Sequence, residues 1–406
     1  MRKIVTVILP LLMLSALVAA QTESDIDKKL EEIVQLINDS KVEEAVAQGA
    51  RLVASNPYAY SAHMMAFQAN LAAYRKGPSS ADAPKYLDKG LKHLNVARRI
   101  DPDSYEAWEA GIAFWDSARL NPMPRDQEAI KTLNDAQQYF SEGELDKAVE
   151  LLEQVVNREP TYAPAYLHLG EVYLTREEPE QALKFLKIAT DKDPRDATAF
   201  LLLATAYGKM EKGEEAMDNL VKSLKADPGF PVAWQQLESL ELAGKKVQRM
   251  SSHFPKSVLW VIEREVKDPE GKDLEGIPEA TRPAWKAYVG TRLRWRQSEF
   301  AKQNPTVKAY RYTFEEESAA INDMLKVWKD AKTGHPERTD PLLDHWLEAS
   351  QNTVLDAAIF SDLFAEEFRR EFEAWNRQNP NKFDEYFYKF VLGQVVSPDK
   401  LDLNKK

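Results

Sequence analysis

A 34-residue period runs through residues 129–230 and constrains the fold more than any other feature of the chain. Pro160, Pro194 and Pro228 fall 34 apart, as do Tyr139, Tyr173 and Tyr207, and as do Ala148, Ala182 and Ala216. A fixed period in this range marks a repeat architecture, in which each unit buries its apolar face only against its neighbours. Three units are about the minimum for a continuous core. The clearest copy, Ala163–Asp196, reads as helix, turn, helix, turn. Tyr166, Leu167, Leu169, Gly170 and Tyr173 recur at helical spacing. Gly170 and Ala182 are small where two helices of a hairpin must approach closely. Glu178-Pro179 sits at the turn, and Asp193-Pro194 ends the second helix because the residue before proline avoids the α region.

In this copy Tyr166, Leu169, Gly170, Tyr173, Ala182, Leu186, Ala189 and Pro194 fall on the signature positions of the tetratricopeptide repeat (TPR) family, which the array resembles. The resemblance implies an all-α fold: a TPR α-solenoid of helical hairpins, here followed by a C-terminal helical bundle. It also implies a protein or peptide partner held on the inner surface of the first helices. Carried over by repeat position, the groove residues are Leu133 and Gln137, Leu167 and Glu171, Leu201 and Thr205, and then Gln235. Some members of the family clamp a terminal carboxylate with lysines and asparagines at these positions. The leucines, Gln137, Glu171 and Thr205 found here suit an apolar helix or extended segment instead.

The rest of the chain falls into segments around this array. Arg2 and Lys3, the apolar run Ile4–Leu17 and the small residues Val18-Ala19-Ala20 read as a secretory signal peptide over 1–20. The run is short for a membrane span of ~20 residues. The membrane is therefore met only through this segment if it stays uncleaved. The expected location is exported, periplasmic or extracellular, in a bacterium. Residues 24–120 read as a degenerate TPR-like block. Within it, Asn56-Pro57 and Asp101-Pro102 close two units, the second stretched by a Lys76-Gly77-Pro78-Ser79-Ser80 loop, and Asn121-Pro122-Met123-Pro124 breaks the register. Residues 125–245 form the array proper, with a helix at 231–242 covering its open end. Residues 246–406 carry no 34-residue period and read as a C-terminal α-helical domain. In it 341–376 forms one long helix with Phe360, Phe364, Phe368 and Phe372 as its buried stripe.

Charge and motif content narrow the function. Residues 129–243 hold 12 Lys and Arg against 21 Asp and Glu, so a basic face for phosphate is missing and nucleic acid is not expected as a partner. The chain has no cysteine, which excludes disulfides, thiolate metal sites and cysteine nucleophiles. The six histidines, His63, His93, His168, His253, His335 and His345, show no metal-ligand spacing, and no phosphate-binding, dinucleotide or hydrolase motif occurs. The expectation is a non-enzymatic adaptor or scaffold of the cell envelope with no cofactor and no metal. The alternative is a ligand-binding or enzymatic bundle at 246–406 with the array as its targeting arm. Two clusters bear on it. Asp340, Asp344, His345 and Glu348 gather at the start of the 341–376 helix, where acidic residues also meet the positive end of the helix dipole. Arg292, Arg294 and Arg296, near Trp285 and Trp295, form a candidate anion contact.

Overall fold

The structure, a computed structural model, describes residues 26–77, 82–101, 104–115, 124, 126–239, 241–242, 245–247, 249–270, 272–305, 307 and 310–393. The expected signal peptide over 1–20 and the register break at 121–123 lie outside the described residues.

In chain order the helices are α1 (26–38), α2 (Val42–Ser55), α3 (Tyr60–Lys76), α4 (Ala83–Ile100), α5 (Tyr105–Trp115), α6 (Gln127–Ser141) and α7 (Leu145–Arg158). Next come α8 (Ala163–Thr175), α9 (Pro179–Lys192), α10 (Ala197–Lys209), α11 (Gly213–Ala226) and α12 (Pro231–Ser239). A two-residue antiparallel ladder pairs Glu241 with Lys246 and Leu242 with Lys245. Then follow α13 (Lys256–Glu263), α14 (Arg282–Arg294), α15 (Phe300–Gln303), α16 (Phe314–Thr333), α17 (Pro341–Gln351), α18 (Leu355–Asp362), α19 (Arg369–Gln378) and α20 (Lys382–Tyr386). The fold is all-α, with helical hairpins over the 34-residue repeats.

Packing divides the chain into two compact units, and the cut differs from the expected 24–120, 125–245 and 246–406. One unit runs to Asp101 and takes in Pro255–Tyr312 and Ala319–Met324. The other holds Pro102–Phe254, Thr313–Ser318 and Leu325–Lys406. The physical reason in the first unit is α13. Its Val258, Leu259, Val261 and Ile262 are buried, and Trp260 packs on a core of Ile33, Ala45, Leu52, Ala62 and Ala66 from α1, α2 and α3. A helix this apolar needs a partner face, and the N-terminal hairpins supply it.

In the second unit one turn builds every hairpin of the array. Gly143, Glu177 and Glu211 have φ of 80°, 60° and 60°. The next residue's N–H then donates back to the carbonyl of a periodic tyrosine: Glu144 to Tyr139, Glu178 to Tyr173 and Lys212 to Tyr207, each 2.9 Å. This left-handed closure satisfies a carbonyl orphaned at the helix end. Between turns, Ala129, Leu133, Ala136, Ala148, Leu152, Val155, Leu169 and Val172 form one core, and Leu174, Ala182, Leu183, Leu186, Leu203 and Ala206 form the next. Gly170 is where α8 and α9 approach: a Cβ there would stand 2.3 Å from Leu186 Cδ2 and 2.4 Å from its Cγ. Each fully buried leucine contributes ~1.5–3 kcal/mol.

The far end of the array is covered by more than one helix. Trp234 and Leu237 of α12 have no exposed surface. Trp234 meets Phe387 at 5.4 Å between ring centroids, and the Arg249 guanidinium lies 4.8 Å from its ring centre. Tyr388 donates to Asp218 and Lys225 to Asp384, so α20 and the segment after it are tied to α11 as well.

The expected single helix over 341–376 is three pieces: α17, α18 and, after a short 3₁₀ turn at Glu366–Phe368, α19. Thr353 breaks it first. Its φ is 60°, and Val354 N–H donates to Ala349 O at 3.0 Å, the same closure as in the array. The four phenylalanines are nonetheless all buried. They pack by their edges and faces across the breaks, with Phe360 and Phe372 centroids 5.1 Å apart.

Candidate partner-binding groove

The first helices of the hairpins, α6, α8 and α10, carry the groove positions. Gln137 is exposed, Leu167, Glu171 and Thr205 are half-buried, and Gln235 on α12 is exposed. Leu133 and Leu201 lie deeper, 2% and 6% exposed, so both serve the stack more than its surface. The accessible part of the face is therefore more polar than its leucines suggest in sequence. Thr205 donates its hydroxyl to Leu201 O at 3.0 Å.

A histidine that sequence reasoning passed over joins this face. His168 Nδ1 lies 2.7 Å from Glu171 Oε2, and His168 Nε2 lies 3.4 Å from the Gln137 amide nitrogen. The ring thus connects the same repeat position on two successive hairpins. Its sequence signal was available, since His168 is adjacent to the groove position Leu167 and three residues before Glu171, one helical turn away. The first turn of α10 is set by Asp196, whose carboxylate accepts from the N–H groups of Thr198 and Ala199. Burial pushes that carboxyl up from its ordinary range, against those two hydrogen bonds.

The other two candidate clusters do not converge on a common point. Arg292 is buried, donates to the Tyr288 hydroxyl at 3.0 Å and lies 4.1 Å over the Tyr312 ring. Arg294 points outward to Asp323 at 3.0 Å. Arg296, in a π-helical turn at Trp295–Glu299, is 3.8 Å from Glu265 and stacks over Tyr310. Arg292 and Arg296, four residues apart, both turn inward while Arg294 between them is exposed, and each guanidinium has its own neighbours. In the acidic cluster, Asp340 caps α17 by accepting from Leu342 and Leu343 N–H. Asp344 accepts from Trp328 Nε1 and Lys332 Nζ. His345 Nε2 lies 2.7 Å from the Tyr386 hydroxyl, which in turn donates to Asp362.

The fold also gathers three residues that spacing kept apart. His63 on α3, His93 on α4 and Glu263 at the end of α13 each offer one ligand atom, all within 4.8 Å of one another. Burial pushes the His63 ring below its ordinary range. His63 and His93 are 30 residues apart and Glu263 a further 170, so no motif could have flagged them.

Residues 139–207 match the family model described as Tetratricopeptide repeat. Solved structures similar to the chain include the MamA protein, with 16% identity over 50% of this chain and 98% of that one, at a TM-score of 0.23. Another is PilW, a widely conserved type IV pilus biogenesis factor, with 17% identity over 52% of this chain and 97% of that one, at 0.26. A third is the P58(IPK) TPR domain, with 15% identity over 81% of this chain and 98% of that one, at 0.26. Overall superposition at these scores carries no argument; the repeat assignment rests on the matched segment and the period. No curated protein matches the chain.

Proposed function

We propose that this chain, a tetratricopeptide-repeat protein over its matched segment, is an exported adaptor that holds a partner protein on the face formed by α6, α8 and α10. One observation carries the reading. Gln137, His168 and Glu171 form a connected polar strip across two hairpins, beside Leu167, so successive first helices present a single surface. A surface with spaced amide, imidazole and carboxylate groups beside a half-buried leucine suits a segment that pairs polar groups along one edge and buries an apolar residue at its centre.

The proposed location is the cell envelope, on the strength of the positive start, apolar run and small-residue cleavage site at 1–20. Both parts have direct tests. A photo-crosslinking residue in place of Gln137 or Thr205 is expected to capture one dominant partner in cells, while the same residue at exposed Glu150 on α7 captures none. Equal capture at all three positions would sink the groove. A phosphatase fused after the chain is active only if exported, so an inactive fusion would sink the location.

A further inference from the structure

We propose that His63, His93 and Glu263 form a binding site for a divalent cation of the zinc class. The argument starts from hydrogen-bond inventory. His63 Nε2 lies 3.1 Å from the Pro57 carbonyl oxygen, which can only accept. The hydrogen of the neutral His63 ring therefore sits on Nε2, and its Nδ1 is a bare lone pair. That lone pair faces His93 Nδ1 at 3.3 Å. His93 Nδ1 is also 3.1 Å from Glu263 Oε1. It carries at most one hydrogen and cannot satisfy both. Glu263 Oε2, buried, makes no hydrogen bond at all. Acceptors thus outnumber hydrogens at the centre of a closed cluster, where His63 is 0% and His93 9% exposed.

A cation resolves this shortage. Zinc binds imidazole nitrogen and carboxylate oxygen at about 2.0–2.1 Å in tetrahedral geometry, which sets ligand atoms about 3.3 Å apart. The two separations at His93 Nδ1 match that spacing. The Pro57 contact is the partner a metal-bound histidine ordinarily has: its second nitrogen donates to a backbone carbonyl, which fixes the tautomer and orients the ring. Two imidazoles and one carboxylate leave a fourth position for water or another donor. All three residues belong to one compact unit, so the ion would cross-link the α3–α4 hairpin to α13 within it.

The test is zinc uptake by the untagged full chain after chelator treatment and desalting. The expected result is one equivalent retained, with a higher melting temperature. His93→Gln and Glu263→Gln are expected to lose that equivalent with unchanged circular dichroism, and His335→Gln, at an exposed histidine, to keep it. X-ray absorption at the zinc edge of the unmutated chain, which depends on no variant folding, is expected to show two imidazoles and an oxygen donor. No retained zinc, retention by both variants, or a shell of water oxygens alone would each overturn the site and leave a hydrogen-bonded cluster.

Discussion

The Arg369 guanidinium lies 3.0 Å from Asp227, a residue 142 positions earlier that closes the last repeat before Pro228. Both are buried. Asp227 also accepts from Trp108 Nε1 at 2.8 Å, and Arg369 also reaches Glu366. Burial disfavours the Arg369 charge, but the Asp227 and Glu366 carboxylates outweigh it and raise its pKa. Removing one member of such a network strands the others. Arg369→Met is expected to cost about 3–5 kcal/mol, measured as a lower urea midpoint. A loss below about 1 kcal/mol would show that the carboxylates relax to water instead.

The Gly170–Leu186 approach makes a second expectation. Gly170→Ala drives a methyl into the Leu186 branch point, which is fully buried and has nowhere to turn. The cost is expected to be about 1–3 kcal/mol, although alanine favours helix. Adding Leu186→Ala in the same chain should recover part of the overpacking, so that the two changes are less than additive. Strict additivity in thermal melts would argue against the contact.

The recurrent left-handed turn gives a pair of opposite changes. Glu211 adopts φ of 60° without glycine's freedom, and Gly143 holds 80° at the equivalent place two repeats earlier. Glu211→Gly is expected to stabilise by up to about 1 kcal/mol and Gly143→Ala to destabilise by a similar amount. Equilibrium denaturation of the two variants checks the signs; the same sign for both would remove backbone strain as the cause.

Asp344 supplies the pH expectation. Burial alone would raise its carboxyl, but hydrogen bonds from Lys332, the Asp340 N–H and Trp328, with the Lys332 charge, bring it below its usual value of 3.8. A folded-state pKa below the unfolded one adds stability that is full above 3.8 and is lost as pH falls through the folded value. Asp344→Asn is therefore expected to be less stable than the parent at pH 6, with the gap closing below pH 3.8. A gap that is constant down to pH 2 in paired melts would exclude the ionised carboxylate as its source.

What could be read from the chain beforehand follows from the range of the contacts. Tyr139, Tyr173 and Tyr207 were legible because each hairpin is closed by bonds five residues away, and the period repeats that local geometry. Gly170 was legible because its neighbour Leu186 lies in the same repeat. The cover over Trp234 was not, because it joins α12 to Phe387 by a contact that no period or spacing announces. The same holds for His63, His93 and Glu263, which lie on three helices. Phe360 to Phe372 misled differently. Four-residue spacing reads as one helix, yet the buried set is kept while Thr353 and the 3₁₀ turn redirect the backbone. Repeat position placed Leu133, Leu167 and Leu201 on the first helices of the hairpins, but the depth of Leu133 and Leu201 depends on how neighbouring hairpins close over them.

The covering of Trp234 bears on how the repeats could ever be used apart from the rest. A fragment stopped after α12 would lose Phe387 and Arg249 from the Trp234 indole and Arg369 from the Asp227 carboxylate. An apolar end left open on a repeat stack is a surface for another copy, so such fragments are expected to associate with one another. The residues after 340 thus act as a stopper on an otherwise open-ended polymer, and the length of the solenoid is decided by its lid.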